Sequence, residues 1–242
     1  MKTYCLEVTG DFACFTRPEM KVERVSYDVM TPSAARAVFE SILWKPAIHW
    51  HITKIELLKP IKWISVRRNE VGAVAIIGKG GIFVDDPSVR QQRAGLFLRE
   101  VAYRIYAHFE LRDPGFHKSN YPYLSKRKMN QGEDEFAVLP DNNAAKFMSM
   151  FERRAQKGQC VNQPYLGCRE FAADFRLVEN SATIQPPTIA ETRDLGWMLY
   201  DLDYGKNGDP KPRFFNARLL NGELAGKEID HLPAWDSGEV RG

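Results

Sequence analysis

Apolar residues at Ala144, Phe147, Met148, Phe151 and Ala155 fall at i, i+3, i+4, i+7 and i+11. That spacing lines one face of an α-helix. Lys146, Arg153 and Lys157 form a second, cationic stripe on the same segment. Asp141 or Asn142 can cap its start, and Gly158 is a natural stop. A second helix is predicted from Thr31-Pro32, a cap followed by proline at the first helical position. Its apolar face is Ala35, Val38, Phe39 and Ile42, and it ends near Trp44-Lys45-Pro46, because proline pushes its predecessor out of the α region.

Elsewhere the period is two, which predicts strands. Residues 3–8 alternate Tyr4, Leu6 and Val8 against Thr3, Cys5 and Glu7, and Gly10-Asp11 is expected to break the run. Residues 48–58 set Ile48, Trp50 and Ile52 against His49, His51 and Thr53. Residues 101–111 place Val101, Tyr103, Ile105, Ala107 and Phe109 inward, with Arg104, Tyr106, His108 and Glu110 outward, as in a half-buried antiparallel strand. Further strands are expected at 63–72, 171–177, 196–204 and 212–219. Residues 187–195 read as a connector, and the segment after Pro233 as a loose tail. Residues 112–140 show little periodicity and are read as a long loop carrying His117, Lys118, Lys126, Arg127 and Lys128, suited to clamping a polyanion.

The composition changes this picture little. The chain has 242 residues, 44% hydrophobic and 27% charged, an ordinary globular balance with enough material for one large domain or a main and a minor one. A net charge of +3 is too small by itself to argue for nucleic acid, so the clustering of cations carries the argument. Cys5, Cys14, Cys160 and Cys168 lack CxxC spacing, which fits reduced thiols in the cytoplasm better than zinc or disulfides. No stretch is long and apolar enough for a membrane span, and the first residues do not read as a signal peptide.

Three clusters attract attention as polyanion contacts. Residues 12–27 mix Phe12, Phe15 and Tyr27 with Arg17, Lys21 and Arg24, a pattern that suits stacked bases and phosphates and equally a hairpin with one wet face. Arg67, Arg68 and Asn69 are expected together at a strand end, where guanidinium forks can hold phosphate. Arg153, Arg154 and Lys157 lie on the basic helix. His49 and His51 share a strand face but have no evident third metal ligand, and Gly78 to Gly81 lack the P-loop pattern. No metal or cofactor is expected.

Several segments then match one family in order along nearly the whole chain: VTGDFACFTRPEMKVERVSYDVMTPSAARAVFESILWKPAI, SVRRNEVG, MFERRAQKGQCVNQPYLGCREF, GWMLYDLDY and PRFFNARL. The chain resembles the CRISPR-associated Cas-five family, type I-C (Dvulg) subtype, of the RAMP superfamily. The resemblance implies an α+β fold: a ferredoxin-like (RRM-type) N-terminal domain over residues 1–170, then a small antiparallel β-sheet domain over 171–242. It also implies cleavage of CRISPR precursor RNA at a repeat hairpin, with the product retained in a type I-C surveillance complex beside its other subunits. Duplex DNA is a further candidate partner.

The family pattern places a tyrosine just before Trp-Lys-Pro and a lysine–histidine pair at the start of the second helix. Here Leu43 precedes Trp44-Lys45-Pro46, Lys146 matches the lysine, and Phe147 stands in the histidine's place. Cleavage without metal requires an aligned 2′-hydroxyl, proton transfer and a cation for the developing phosphorane charge. Lys146 supplies the cation. Tyr27, His49, His51 and His117 are candidates for proton transfer from elsewhere. The expected RNA contacts are Arg17, Lys21, Arg24, Trp44, Lys45, Arg67, Arg68, Asn69, Arg153, Arg154 and Lys157. Three readings stay open: a metal-independent endoribonuclease leaving a 2′,3′-cyclic phosphate, a non-cutting subunit that grips the 5′ end of a guide RNA, and a free-standing nucleic-acid binder.

Overall fold

In the computed structural model the residues described are 2–78, 80–83, 85–111, 143–179, 189–203 and 210–225. The expected loop at 112–140 and the tail after Pro233 lie outside them. Strand β1 spans Tyr4–Ala13, helix α1 Pro32–Ile42, β2 Ile48–Leu57, β3 Trp63–Val71 and β4 Arg90–Leu111. Helix α2 spans Ala144–Gln156, followed by β5 Asp174–Val178, β6 Arg193–Asp203, β7 Lys211–Leu220 and β8 Glu223–Ala225. The fold is mostly β, an antiparallel sheet with two helices among the described residues.

The sheet runs β5-β1-β4-β2-β8-β7-β6, with β3 paired to the first half of β4. Alternation decides what each face meets. Tyr4, Leu6, Val8, Trp50, Ile105 and Phe109 are buried on the side that receives the helices. There they meet Ala35, Val38, Phe39 and Ile42 of α1, the face predicted from spacing, and Phe147, Phe151 and Ala155 of α2. Trp50 is the hub, with ring centroids 4.9 Å from Phe39, 4.8 Å from Phe151 and 5.2 Å from Phe109. Each such ring contributes about 1.5–3 kcal/mol by leaving water. On the opposite face one row of charges crosses four strands: Arg176 bonds Glu7, Glu7 bonds Arg104, and Arg104 lies 3.6 Å from Glu56. Glu56 is buried yet satisfied, accepting from Lys54 at 2.5 Å and from the Tyr106 hydroxyl at 2.9 Å.

Several expectations are corrected by the backbone. Gly10-Asp11 does not break β1, which continues to Ala13. Gly10 serves close packing instead: a Cβ there would stand 2.5 Å from Leu166 Cδ1. The cap of α2 is Asn143, whose Oδ1 accepts from the Ala145 N–H at 2.9 Å, while 141 and 142 lie outside the described residues. Gly158 does end that helix region, at φ +64°. Arg67, Arg68 and Asn69 lie within β3, not at its end, paired with Ala94, Arg93 and Gln92. Period two therefore sends Arg68 to the face opposite Arg67 and Asn69.

The division expected at residue 170 does not follow the sheet. β5 pairs with β1, so it belongs with the strands before it. The later strands β6 and β7 join the same sheet through β8, which pairs with both β7 and β2. β8 follows a two-residue turn, Asn221 at φ 51° and Gly222 at φ 78°, the backbone of an Asn-Gly hairpin. Two ion pairs reinforce this join: the Arg36 fork on Asp201, from α1 to β6, and Arg193 on Asp28 at 3.1 Å.

Candidate nucleic-acid interface and cleavage site

The end of α1 leaves carbonyls without intrahelical partners, and three different elements satisfy them. Val161 N–H donates to Ser41 O at 2.7 Å, Arg154 Nη1 to Ile42 O at 2.9 Å, and Trp50 Nε1 to Leu43 O at 2.9 Å. The segment Leu43-Trp44-Lys45 is thereby pinned against α2 and β2. Phe147 meets the same aromatic cluster, its ring 6.5 Å from Phe109. Leu43 and Phe147 thus belong to the same core as Trp50, and both face inward. Leu43 is 0% and Phe147 5% exposed. Lys146 is exposed on the first turn of α2 and forms no ion pair among the described residues. Beside this junction a shallow cleft of about 500 Å³ is lined by Arg154, Gly158, Gln159, Cys160 and Val161.

Of the proton-transfer candidates, three fall within the described residues. Tyr27 is 1% exposed, lies 4.5 Å beneath the Arg17 guanidinium, and burial pushes its hydroxyl above its ordinary range. His49 and His51 alternate with Trp50 and so face the side of the sheet opposite the helices. His51 stacks there on His108 at 5.3 Å, with Glu110 Oε2 3.4 Å from its ring nitrogen. The adjacency of His108 follows from the β2–β4 register, His51 opposite His108, which two separated sequence segments do not announce. His117 lies outside the described residues.

The other basic residues divide into two kinds. Lys21, Lys45, Arg67, Arg153 and Lys157 are exposed and make no ion pair among the described residues. Arg17, Arg24, Arg68 and Arg154 are engaged by the protein itself. Arg17 lies 3.3 Å from Asp28. Arg24 and Arg68 both donate to Glu170 Oε1, at 3.1 and 2.6 Å, and Arg68 lies 4.9 Å above the Phe97 ring. Burial pushes Glu170 up, but its own backbone N–H and the two guanidiniums outweigh this and hold it below the ordinary carboxylate value. These contacts anchor the base of the β3–β4 hairpin over the 166–171 segment. Arg67 and Asn69 share the hairpin's other face, and beyond them Val74, Ile76, Ile77 and Phe83 are exposed near its tip. Trp44 is half-buried at the junction, and Asn69 is exposed.

The fold agrees with comparisons to known proteins. A family model described as CRISPR-associated protein (Cas_Cas5) matches residues 3–225. A Mannheimia succiniciproducens protein named CRISPR pre-crRNA endoribonuclease Cas5d is 45% identical over 232 residues, covering 90% of this chain and 92% of the relative. A Thermus thermophilus protein of the same name is 35% identical over 256 residues, covering 98% and 97%. A crystal structure of a CRISPR-associated protein superposes with a TM-score of 0.61 at 21% identity, covering 95% of both chains. A chain of a CRISPR RNA-guided surveillance complex gives 0.50 at 10% identity, covering 97% and 95%. The chain belongs to the Cas5d family of CRISPR-associated proteins. Among the described residues no helix is long and apolar enough to cross a membrane.

Proposed function

We propose that this protein binds CRISPR repeat RNA and cuts it without a metal ion, keeping the product within a type I-C surveillance complex. The observation that carries this is Lys146, exposed on the first turn of α2 next to Phe147, whose ring packs into the aromatic core. Names of the relatives at 45% and 35% identity support the same activity. In this reading Lys146 stabilises the phosphorane charge. Lys21, Lys45, Arg67, Asn69, Arg153 and Lys157 contact the RNA, with Trp44 packing near the cut. Arg17, Arg24, Arg68 and Arg154 hold the elements that carry these contacts. The apolar hairpin tip is the surface offered to another subunit. The unit ending at β5 has the order βαβββαβ; with β3 set aside, since it pairs only with β4, the order is βαββαβ with strands arranged 5-1-4-2, which we read as ferredoxin-like and RRM-type. The strands after 189 form the small second unit.

Burial of Leu43 and Phe147 favours one alternative, a subunit that grips the guide RNA without cutting. Incubating the purified protein with its own repeat RNA in EDTA separates the two. A discrete shortened product ending in a 2′,3′-cyclic phosphate supports the enzyme. RNA that stays intact but migrates as a complex supports the binder, and cleavage that requires added magnesium refutes the metal-independent reading.

A further inference from the structure

Beneath the hairpin base, two cysteines far apart in sequence come together. The Cys14 N–H donates to Leu166 O at 3.0 Å, and Gly167, at φ +83°, passes so close that a Cβ would stand 2.0 Å from Cys14 O. This brings Cys168 against Cys14. Cys168 Sγ lies 3.8 Å from Cys14 O. Arg24 Nη1 lies 3.3 Å from Cys168 Sγ, and Thr16 Oγ1 lies 3.4 Å from Cys14 Sγ. The arrangement is asymmetric: one sulfur faces a guanidinium and the other a neutral hydroxyl.

We propose that Cys14 and Cys168 form an oxidisable dithiol, in which Cys168 reacts with a peroxide and Cys14 closes the disulfide. The nucleophile is the Cys168 thiolate. The adjoining Cys14 side chain and the Arg24 guanidinium outweigh burial and lower its pKa, while that of Cys14 is raised. A thiolate beside a protonated partner thiol is the electronic condition for such chemistry. The Cys168 sulfur attacks one peroxide oxygen, the S–O bond forms and the O–O bond breaks. The hydroxide released takes up a proton to become water, leaving a sulfenic acid. Cys14 then gives up its proton and attacks that sulfur. The S–S bond forms, the S–O bond breaks, and the hydroxide leaves with that proton as a second water. The two sulfurs lose two electrons and the peroxide gains them.

Access agrees with this order. Cys14 is 0% and Cys168 7% exposed, and Cys168 touches Arg24, which with its partner Glu170 is partly exposed. Cys168, the less enclosed of the two, meets the oxidant first, and Cys14 is placed to resolve the product. Closing the bond removes the sulfur charge that Arg24 faces, leaving Glu170 as the anion shared by Arg24 and Arg68. Cys5 is placed otherwise: burial pushes its thiol up to about 11, well away from the thiolate form.

The test treats the purified full chain with hydrogen peroxide at neutral pH, quenches with N-ethylmaleimide, unfolds the protein and maps the peptides by mass. The expected result is a linked Cys14–Cys168 pair, with Cys5 and Cys160 alkylated. Alkylation of all four cysteines, or oxidation confined to Cys5 or Cys160, overturns the proposal. In Cys14→Ser, dimedone should trap a sulfenic acid at Cys168, whereas in Cys168→Ser, Cys14 should stay reduced. Arg24→Gln should slow the loss of thiols at pH 7 by roughly tenfold, because the thiolate fraction falls. An unchanged rate removes the guanidinium from the mechanism and overturns that assignment.

Discussion

At the junction of α1 and α2, apolar packing occupies two positions where the sequence resemblance leads to the expectation of reactive groups. Leu43 and Phe147 are buried, and Phe147 adds to the cluster around Trp50. At the base of the β3–β4 hairpin charge is retained: Arg24, Arg68 and Glu170 form a partly exposed ionic group above two thiols. The first region should give a large stability response and a small electrostatic one, and the second the reverse. This contrast separates chemistry from scaffolding in a protein whose motif residues do not by themselves say which is which.

The largest effect is expected at the junction. Phe147→Ala should destabilise the protein by about 3–5 kcal/mol, since an aromatic side chain is removed from a packed site. Thermal or urea unfolding measures this, and a loss below about 1 kcal/mol would show that the site collapses easily and that the contrast is wrong. Restoring the family's residues sharpens the same point. Leu43→Tyr puts a larger side chain into a fully buried position, at a cost of about 1–3 kcal/mol. If the parent is a weakened nuclease, Leu43→Tyr with Phe147→His should nonetheless cut repeat RNA faster. A folded double mutant no faster than the parent places proton transfer on other residues.

Next in size is Lys146→Ala. An exposed lysine on the first turn gains nothing from the helix dipole, which disfavours positive charge there, so its removal should leave stability unchanged. Cleavage should fall by about 10²-fold, the scale for losing one charge-stabilising group. Single-turnover rates with affinity measured in parallel check this. Equal losses of rate and affinity would make Lys146 a binding residue only.

The third comparison sets neighbours against each other. Arg68→Ala removes a partner of Glu170 and the cover over Phe97, and should cost about 1 kcal/mol of stability. Arg67→Ala should leave stability alone and weaken RNA binding, flattening the salt dependence by about 0.7 for one phosphate contact on a single strand. Identical behaviour of the two variants would mean that the two faces of β3 do not divide the roles as their alternation implies.

Both helices were legible because their apolar faces are periodic, and the inward set of β4 was legible for the same reason. The extent of β1 was not, because glycine reads as a breaker unless the side chain approaching it is known, and here Leu166 comes from far along the chain. The Asn221-Gly222 turn is a plain hairpin signal, but the three-residue β8 behind it is too short for its pattern to show that it joins the last hairpin to the rest. At the site, the residue substitutions at Leu43 and Phe147 were visible, and Phe147 could be assigned to packing from its helical stripe. The pairing of Arg24 and Arg68 through Glu170, and of Cys14 with Cys168, depends on tertiary contacts between segments more than a hundred residues apart. No local pattern encodes such a pairing.

Glu170→Gln is expected to have the smallest effect. It breaks the hairpin base without touching the core. The carboxylate is held below its ordinary value in the folded state by Arg68 and Arg24 against the opposing effect of burial. A depressed folded value means that its stabilising contribution is present above the ordinary carboxylate value near 4.5. That contribution is lost as pH falls further, through the lower folded value. The side chain is 44% exposed, so solvent screening limits the contribution to under about 1 kcal/mol. The variant should be slightly less stable than the parent at pH 7, and the difference should vanish as pH is lowered through and below the carboxylate range. Urea midpoints measured from pH 7 downward test this, with Glu7, whose pKa is also depressed by Arg176 and Arg104, titrating alike in both proteins and cancelling from the difference. RNA binding gives the second readout: if Arg24 and Arg68 are only scaffold, the variant's salt slope matches the parent's. A steeper slope would show that removing the carboxylate frees them to meet phosphate, and it would move both arginines from the scaffold to the interface.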